Sequence, residues 1–189
     1  MKRFFKRNSH NKLFKTLAGF GRSLNRFYEN RNHDIHSNGE LTVLKKLAKF
    51  KPTVIIDGGA NVGGYSLMIY QFNPEAKIYA FEPVRDTFEI LKATVEEGGS
   101  VTPIRKGLYK ETCSKEINLF SSNTHSSIVD IKGLNYQTTD NETIELIKGD
   151  DFLKQSKIQE VDFLKIDVEG AEYDVLLGFE KHLEKGKIK

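Results

Sequence analysis

The segment TVIIDGGANVGGYSLMIY, residues 53–70, sets the architecture of this chain. A β-branched run, Val54 to Ile56, reads as a strand and ends in an acid, Asp57. A small-residue turn follows, with Gly58, Gly59, Ala60, Asn61 and Gly63, where the backbone can approach a ligand closely. Leu67, Met68 and Tyr70 then recur as on a helix. One strand later, IYAFEP at 78–83 puts a second acid, Glu82, 19 residues after Gly63. Strand, glycine turn, helix and strand-end acid together form the layout of a nucleoside-cofactor site. A glycine turn alone is weak evidence, and the two acids strengthen it. Asp57 precedes the turn, where it would repel a pyrophosphate but welcome a sulfonium and an ammonium. The charges therefore point to S-adenosylmethionine, with Glu82 placed to accept hydrogen bonds from both ribose hydroxyls. Capping or salt-bridge roles are the bland alternatives for both acids.

Outward from this segment, strands are expected at 53–57, 77–82, 101–105 and 161–167, with helices at 36–50 and 86–97 and one after 169. That alternation predicts an α/β fold, a doubly wound, mainly parallel Rossmann-like sheet. Residues 114–147 alternate instead, through Ile117, Leu119, Ile128, Ile131, Ile144 and Leu146, and read as an antiparallel insertion before the fourth central strand. The insertion surrounds a polar loop, SSNTHSS at 121–127. Lys187 to Lys189 read as the opening of a further strand, so C-terminal strands of the sheet are expected beyond them.

A second constellation is KIDVEGAE at 165–172, which sets Asp167 and Glu169 at a strand end, where open α/β sheets bind ligands. If the strands at 53–57 and 161–167 are neighbours, Asp57 and Asp167 face one crevice. Either Asp167 or Glu169 is a candidate base for a hydroxyl acceptor, with His125 in the polar loop as a third. Ser126 beside it is a candidate substrate contact. Helix capping and plain solvation are the bland readings of the acids, and solvation is that of His125. A divalent cation held through oxygen ligands is an alternative use of the acids, but no histidine cluster supports a transition metal, and no metal site is assigned.

The chain of 189 residues is long enough for one ordinary core, and its 38% hydrophobic and 29% charged residues fit a soluble globular protein. The single Cys113 excludes an internal disulfide and a four-cysteine zinc site, and a cytoplasmic protein is the default. The net charge of +3 is uneven: residues 1–33 carry nine Lys/Arg against Glu29, leaving the remainder acidic. Residues 1–36 read as a basic amphipathic helical extension, with Leu13, Leu17, Phe20, Leu24 and Phe27 on one face, and 37–189 as the catalytic domain. Such a face suits self-association, packing on the domain, or peripheral contact with a membrane surface. No nucleic-acid motif accompanies the charge.

NGE at 38–40, IIDGGANVGGYS at 55–66, FEP at 81–83, DDFL at 150–153 and LKIDVEGAEYDVLLG at 164–178 together resemble the FkbM family of S-adenosylmethionine-dependent methyltransferases, over about residues 37–185. The resemblance implies a class I methyltransferase fold and usually O-methylation of sugars or other hydroxylated metabolites, with a small-molecule or glycan acceptor. Carried over by position, Asp57 to Asn61 and Glu82 hold the cofactor, Gly107 and Leu108 lie beside the adenine, and Asp167, Glu169 and Glu172 are active-site acids. Two rivals stand beside this reading. One is a truncated or degenerate cofactor-binding domain without activity. The other is a nicotinamide-dependent Rossmann enzyme, which leaves Asp57 and KIDVEGAE unexplained.

Overall fold

The computed structural model describes residues 38–96, 99–120, 126–127 and 138–189. The basic leader, His125, Ile128 and Ile131 lie outside the described residues. The chain divides into two compact units at Lys46/Leu47. The division falls within helix α1, Glu40–Lys49, whose start is capped by Asn38 Oδ1 accepting from Glu40 N at 2.9 Å. Among the described residues no helix is long and apolar enough to cross a membrane.

The second unit is built on a parallel sheet in the order β3-β2-β1-β8: β1 is Val54–Gly58, β2 Lys77–Phe81, β3 Val101–Ile104 and β8 Phe163–Ile166. Helix α2, Gly64–Phe72, joins β1 to β2, and α3, Arg85–Val95, joins β2 to β3. Ile55, Ile56, Ile78, Ala80 and Phe81 are fully buried, as the interior strands of a parallel sheet require. The order reverses at β1, which has β2 on one side and β8 on the other. That switch point opens a crevice beyond the strand ends.

The second sheet runs β4-β7-β5-β6: β4 is Gly107–Tyr109, β5 Cys113–Phe120, β6 Ser126–Ser127 and β7 Thr138–Lys148. The insertion is antiparallel where the alternation predicts it, β5 against β7 with Lys115 opposite Ile144 and Cys113 opposite Leu146. One strand goes beyond the sequence reading: β4 runs parallel to β7, so Gly107 and Leu108 sit in a ladder and not in a loop. Ile117, Ile144 and Leu146 point inward and pack with Val84, Tyr109 and Ala171.

Helix α4, Gly149–Gln155, supplies Phe152, which stands edge-on to Tyr79 and Phe81 with ring centroids 5.2 and 4.9 Å away. The expected helix after residue 169 is broken into α5, Glu172–Gly178, and α6, Glu180–Glu184. Phe179 at the break is fully buried among Ile56, Phe81, Phe152 and Val175, so packing of its ring overrides helical continuity. Ile188 makes a parallel bridge to Val161, with Val161 N donating to Lys187 O and Lys189 N to Val161 O. The residues after the last helix thus continue the β8 edge.

Candidate functional site

The crevice at the switch point is walled by three strand ends and the second sheet. Gly59 and Asn61 come from the turn after β1, and Glu82, Pro83, Val84 and Thr87 from the β2–α3 junction. Asp167, Val168 and Glu169 follow β8, while Gly107, Leu108, Ile117 and Ile144 come from the second sheet. Among the described residues, the charged side chains lining it are Glu82, Asp167 and Glu169, all acidic.

The turn has little freedom. Gly59 has φ +76°, and a Cβ there would lie 1.9 Å from the Asp167 carbonyl oxygen, so only glycine lets the two strand ends meet. Gly59 N and Ala60 N both donate to Phe81 O, at 3.1 and 2.8 Å. Asn61, also left-handed at φ 49°, donates its N–H to Glu82 Oε2 at 3.1 Å. Gly63 does different work. A Cβ on it would meet Leu91 Cδ1 at 2.8 Å, so it permits α2 to approach α3 and does not line the crevice. Gly58 and the buried Ala60 also lie behind the lining.

Glu82 lies in the crevice but is only 7% exposed. Its Oε1 accepts from Val84 N at 3.0 Å and its Oε2 from Asn61 N, which leaves a lone pair on each oxygen for a ligand. Burial pushes its carboxyl from 4.5 up to about 6, against the pull of those two N–H groups. Glu142 on β7 adds to the upward push, while Lys165 opposes it.

Asp57 is not where the sequence reading puts it. Its side chain is fully buried behind the turn, accepts from Ser66 Oγ at 2.6 Å and faces Lys165 Nζ at 3.0 Å. A desolvated carboxylate needs such partners, so it supports the turn from below instead of facing a ligand. Asp57 and Asp167 therefore do not share the crevice: Asp167 lines it with a side chain 71% exposed, and Lys165 Nζ stands between them, 3.7 Å from Asp167 Oδ2. Lys165 also donates to Gly59 O at 2.9 Å. Sequence reasoning missed Lys165, although one signal was available: it is the only charged residue between Val161 and Asp167 besides Asp162, inside an otherwise apolar strand. Its Cα pairs with that of Asp57.

Glu169 lines the crevice in a left-handed conformation, φ 52°, followed by Gly170 at φ 101°. Glu172 is turned to this bend: its Oε1 accepts from Gly170 N at 3.0 Å and Val168 N at 3.3 Å, which hold its carboxyl below the usual range. It shapes the loop that presents Glu169 and is not part of the lining. Gly107 and Leu108 reach the crevice as expected, but through β4. Ser126 lies in β6. Among the described residues no group of three or more His, Cys, Asp or Glu stands ready to hold a metal.

The model of the methyltransferase FkbM domain matches residues 57–189. Three curated proteins are similar. The hexuronic acid methyltransferase AglP of Haloferax volcanii is 29% identical over 77% of this chain and 59% of its own length. Methyltransferase 1 of Beauveria bassiana is 28% identical over 67% of this chain and 58% of its own. Methyltransferase sdnD of Sordaria araneosa is 26% identical over 69% and 62%. The chain thus spans about three-fifths of the length of these relatives. A crystal structure of methyltransferase FkbM from Methylobacillus flagellatus KT superposes with a TM-score of 0.51 at 16% identity, over 73% of this chain and 32% of that one, and shows the same fold. With its turn, its switch-point crevice and this match over most of its length, the chain belongs to the FkbM methyltransferase family.

Proposed function

We propose that this chain is the cofactor-binding core of an S-adenosylmethionine-dependent methyltransferase that O-methylates a hydroxyl on a sugar or another hydroxylated small molecule. One observation carries the choice of cofactor: the crevice beside the glycine turn is lined by three carboxylates and, among the described residues, by no Lys or Arg. A ligand carrying a sulfonium and an ammonium suits that field, and a pyrophosphate does not. The residues present also fit the donor sterically, since the turn at Gly59 brings bare backbone to the crevice wall. The sugar acceptor is favoured by the family and by the similarity to a hexuronic acid methyltransferase.

The bound donor supplies an electrophilic methyl group; the chain supplies position and a proton acceptor. Glu82 uses its free lone pairs on the ribose hydroxyls. Leu108, with Ile117 and Ile144 on the second sheet, provides apolar wall for the adenine. Asp167, whose side chain is 71% exposed at the crevice wall, takes the acceptor's proton as the new bond forms. Glu169 orients acceptor hydroxyls. Much of the acceleration then comes from holding acceptor and donor in line.

Calorimetry with S-adenosylmethionine and S-adenosylhomocysteine, with NAD as control, tests the reading. The expected result is micromolar binding of both, weakened roughly 10–100-fold in Glu82→Ala. NAD binding in their place, or no binding by folded protein, refutes it. Asp167→Asn should abolish turnover while the cofactor still binds; wild-type rates would remove Asp167 from the mechanism.

A further inference from the structure

We propose that Lys165 is a positioning residue for the cofactor turn, holding the Gly59 carbonyl in place in addition to neutralising Asp57. The inference rests on the cofactor site proposed above. A buried carboxylate such as Asp57 needs a counter-charge, and Lys165 Nζ at 3.0 Å provides one. Charge neutralisation alone does not explain the rest of the geometry. The same ammonium donates to Gly59 O at 2.9 Å and lies 3.7 Å from Asp167 Oδ2. Lys165 is 18% exposed and sits between the closed side of the turn and the open crevice.

Gly59 is the residue where this matters. Its N–H is spent on Phe81 O, and its carbonyl on Lys165. With both polar groups held, a residue that otherwise has the widest choice of backbone conformations is confined to one. The turn residue pressed against β8 and the acid at the mouth of β8 share a single ammonium. Lys165 therefore ties the half of the site that holds the donor to the half that meets the acceptor. One ammonium does this with a hydrogen bond to the Gly59 carbonyl and with its charge toward the two carboxylates.

The experiment separates the two roles of Lys165. Asp57→Asn supplies the baseline, because it removes the charge that needs neutralising. The double variant Asp57→Asn/Lys165→Met is compared with it, so the buried carboxylate is never left without its ammonium. S-adenosylhomocysteine affinity is read by calorimetry on the full chain. The double variant is expected to bind roughly 10–100-fold more weakly than Asp57→Asn alone, the loss of one charge-assisted hydrogen bond that orders the turn. Equal affinities would reduce Lys165 to a counter-ion and overturn the proposal.

If the double variant does not fold, the side-chain amine resonance of Lys165 in isotope-labelled wild type decides. It is expected to shift on saturation with S-adenosylhomocysteine, and an unmoved resonance overturns the proposal. Failure of the wild type to bind S-adenosylhomocysteine refutes the cofactor assignment itself and takes this inference with it. Binding by the wild type with no difference between the variants refutes only the role of Lys165.

Discussion

Glu82→Gln is expected to stabilise the folded protein at neutral pH while weakening the proposed cofactor site. Burial raises the Glu82 carboxyl from 4.5 to about 6, so the native state binds this proton more tightly than the unfolded state does. Native protein therefore holds more protons across that interval, and stability falls as pH rises through it. The contribution is fully present below about pH 4.5 and gone above about pH 6 to 7. At 1.36 kcal/mol per pH unit, the gap is worth roughly 2 kcal/mol. Exposure of only 7% leaves little solvent screening to reduce it. Gln mimics the neutral carboxyl and so escapes the loss.

Urea denaturation of wild type and variant at a series of pH values isolates this group, because every other titration is common to both. The two curves should nearly coincide near pH 4. By pH 7.5 the variant should lead by roughly 2 kcal/mol, or about 4–8 °C in melting temperature for a chain of this size. A difference that does not change between pH 4 and 7.5, or a wild type that is the more stable at pH 7.5, would refute the desolvation argument. The expected gain in stability at the expense of binding is the signature of an acid kept buried for a ligand.

Gly59→Ala should cost about 3 kcal/mol or more in urea denaturation, since its Cβ would fall 1.9 Å from a backbone oxygen at a positive φ. Glu169→Gly should raise stability by about 0.5–1 kcal/mol by relieving a left-handed non-glycine residue, while lowering methyl-transfer rate. Asp162 accepts from Thr53 N and Oγ1, Val54 N and Lys189 Nζ; burial opposes them, yet its carboxyl is held down at about 2. Its contribution is present above about pH 4 and lost as pH falls toward 2, so Asp162→Asn should destabilise by about 1–2 kcal/mol at pH 7, with the penalty shrinking in acid.

The parallel half of the fold was legible because its signals are local: a β-branched run, a glycine turn and an amphipathic helix each declare themselves within ten residues. The crevice residues Gly59, Asn61, Glu82, Asp167 and Glu169 were legible for the same reason, as strand-end features. What sequence did not disclose depends on pairing across the chain. Gly107 and Leu108 form a strand only because β7, some forty residues later, offers an edge. Phe179 interrupts a helix only because a core built from β1, β2 and α4 receives its ring. Glu172, an acid in a conspicuous motif, turned out to cap its own loop, a use that depends on the left-handed pair at Glu169 and Gly170.

Asp57 shows how an electrostatic reading of a strand-end acid can rest on the wrong atom. The acid before the turn was expected to set cofactor preference by its charge. In the structure it pairs with Lys165 at 3.0 Å and is closed off from solvent, so at any distance greater than that separation the two charges largely cancel. The field in the crevice then comes from Glu82, Asp167 and Glu169. Lys165 also stands 3.7 Å from the exposed Asp167, where water screens the pair, so it offsets that acid only in part. In the function proposed above, selection of a cationic donor rests on three strand-end carboxylates. The Asp57–Lys165 pair contributes structure: it lets a glycine turn stay rigid beside a crevice that must remain open.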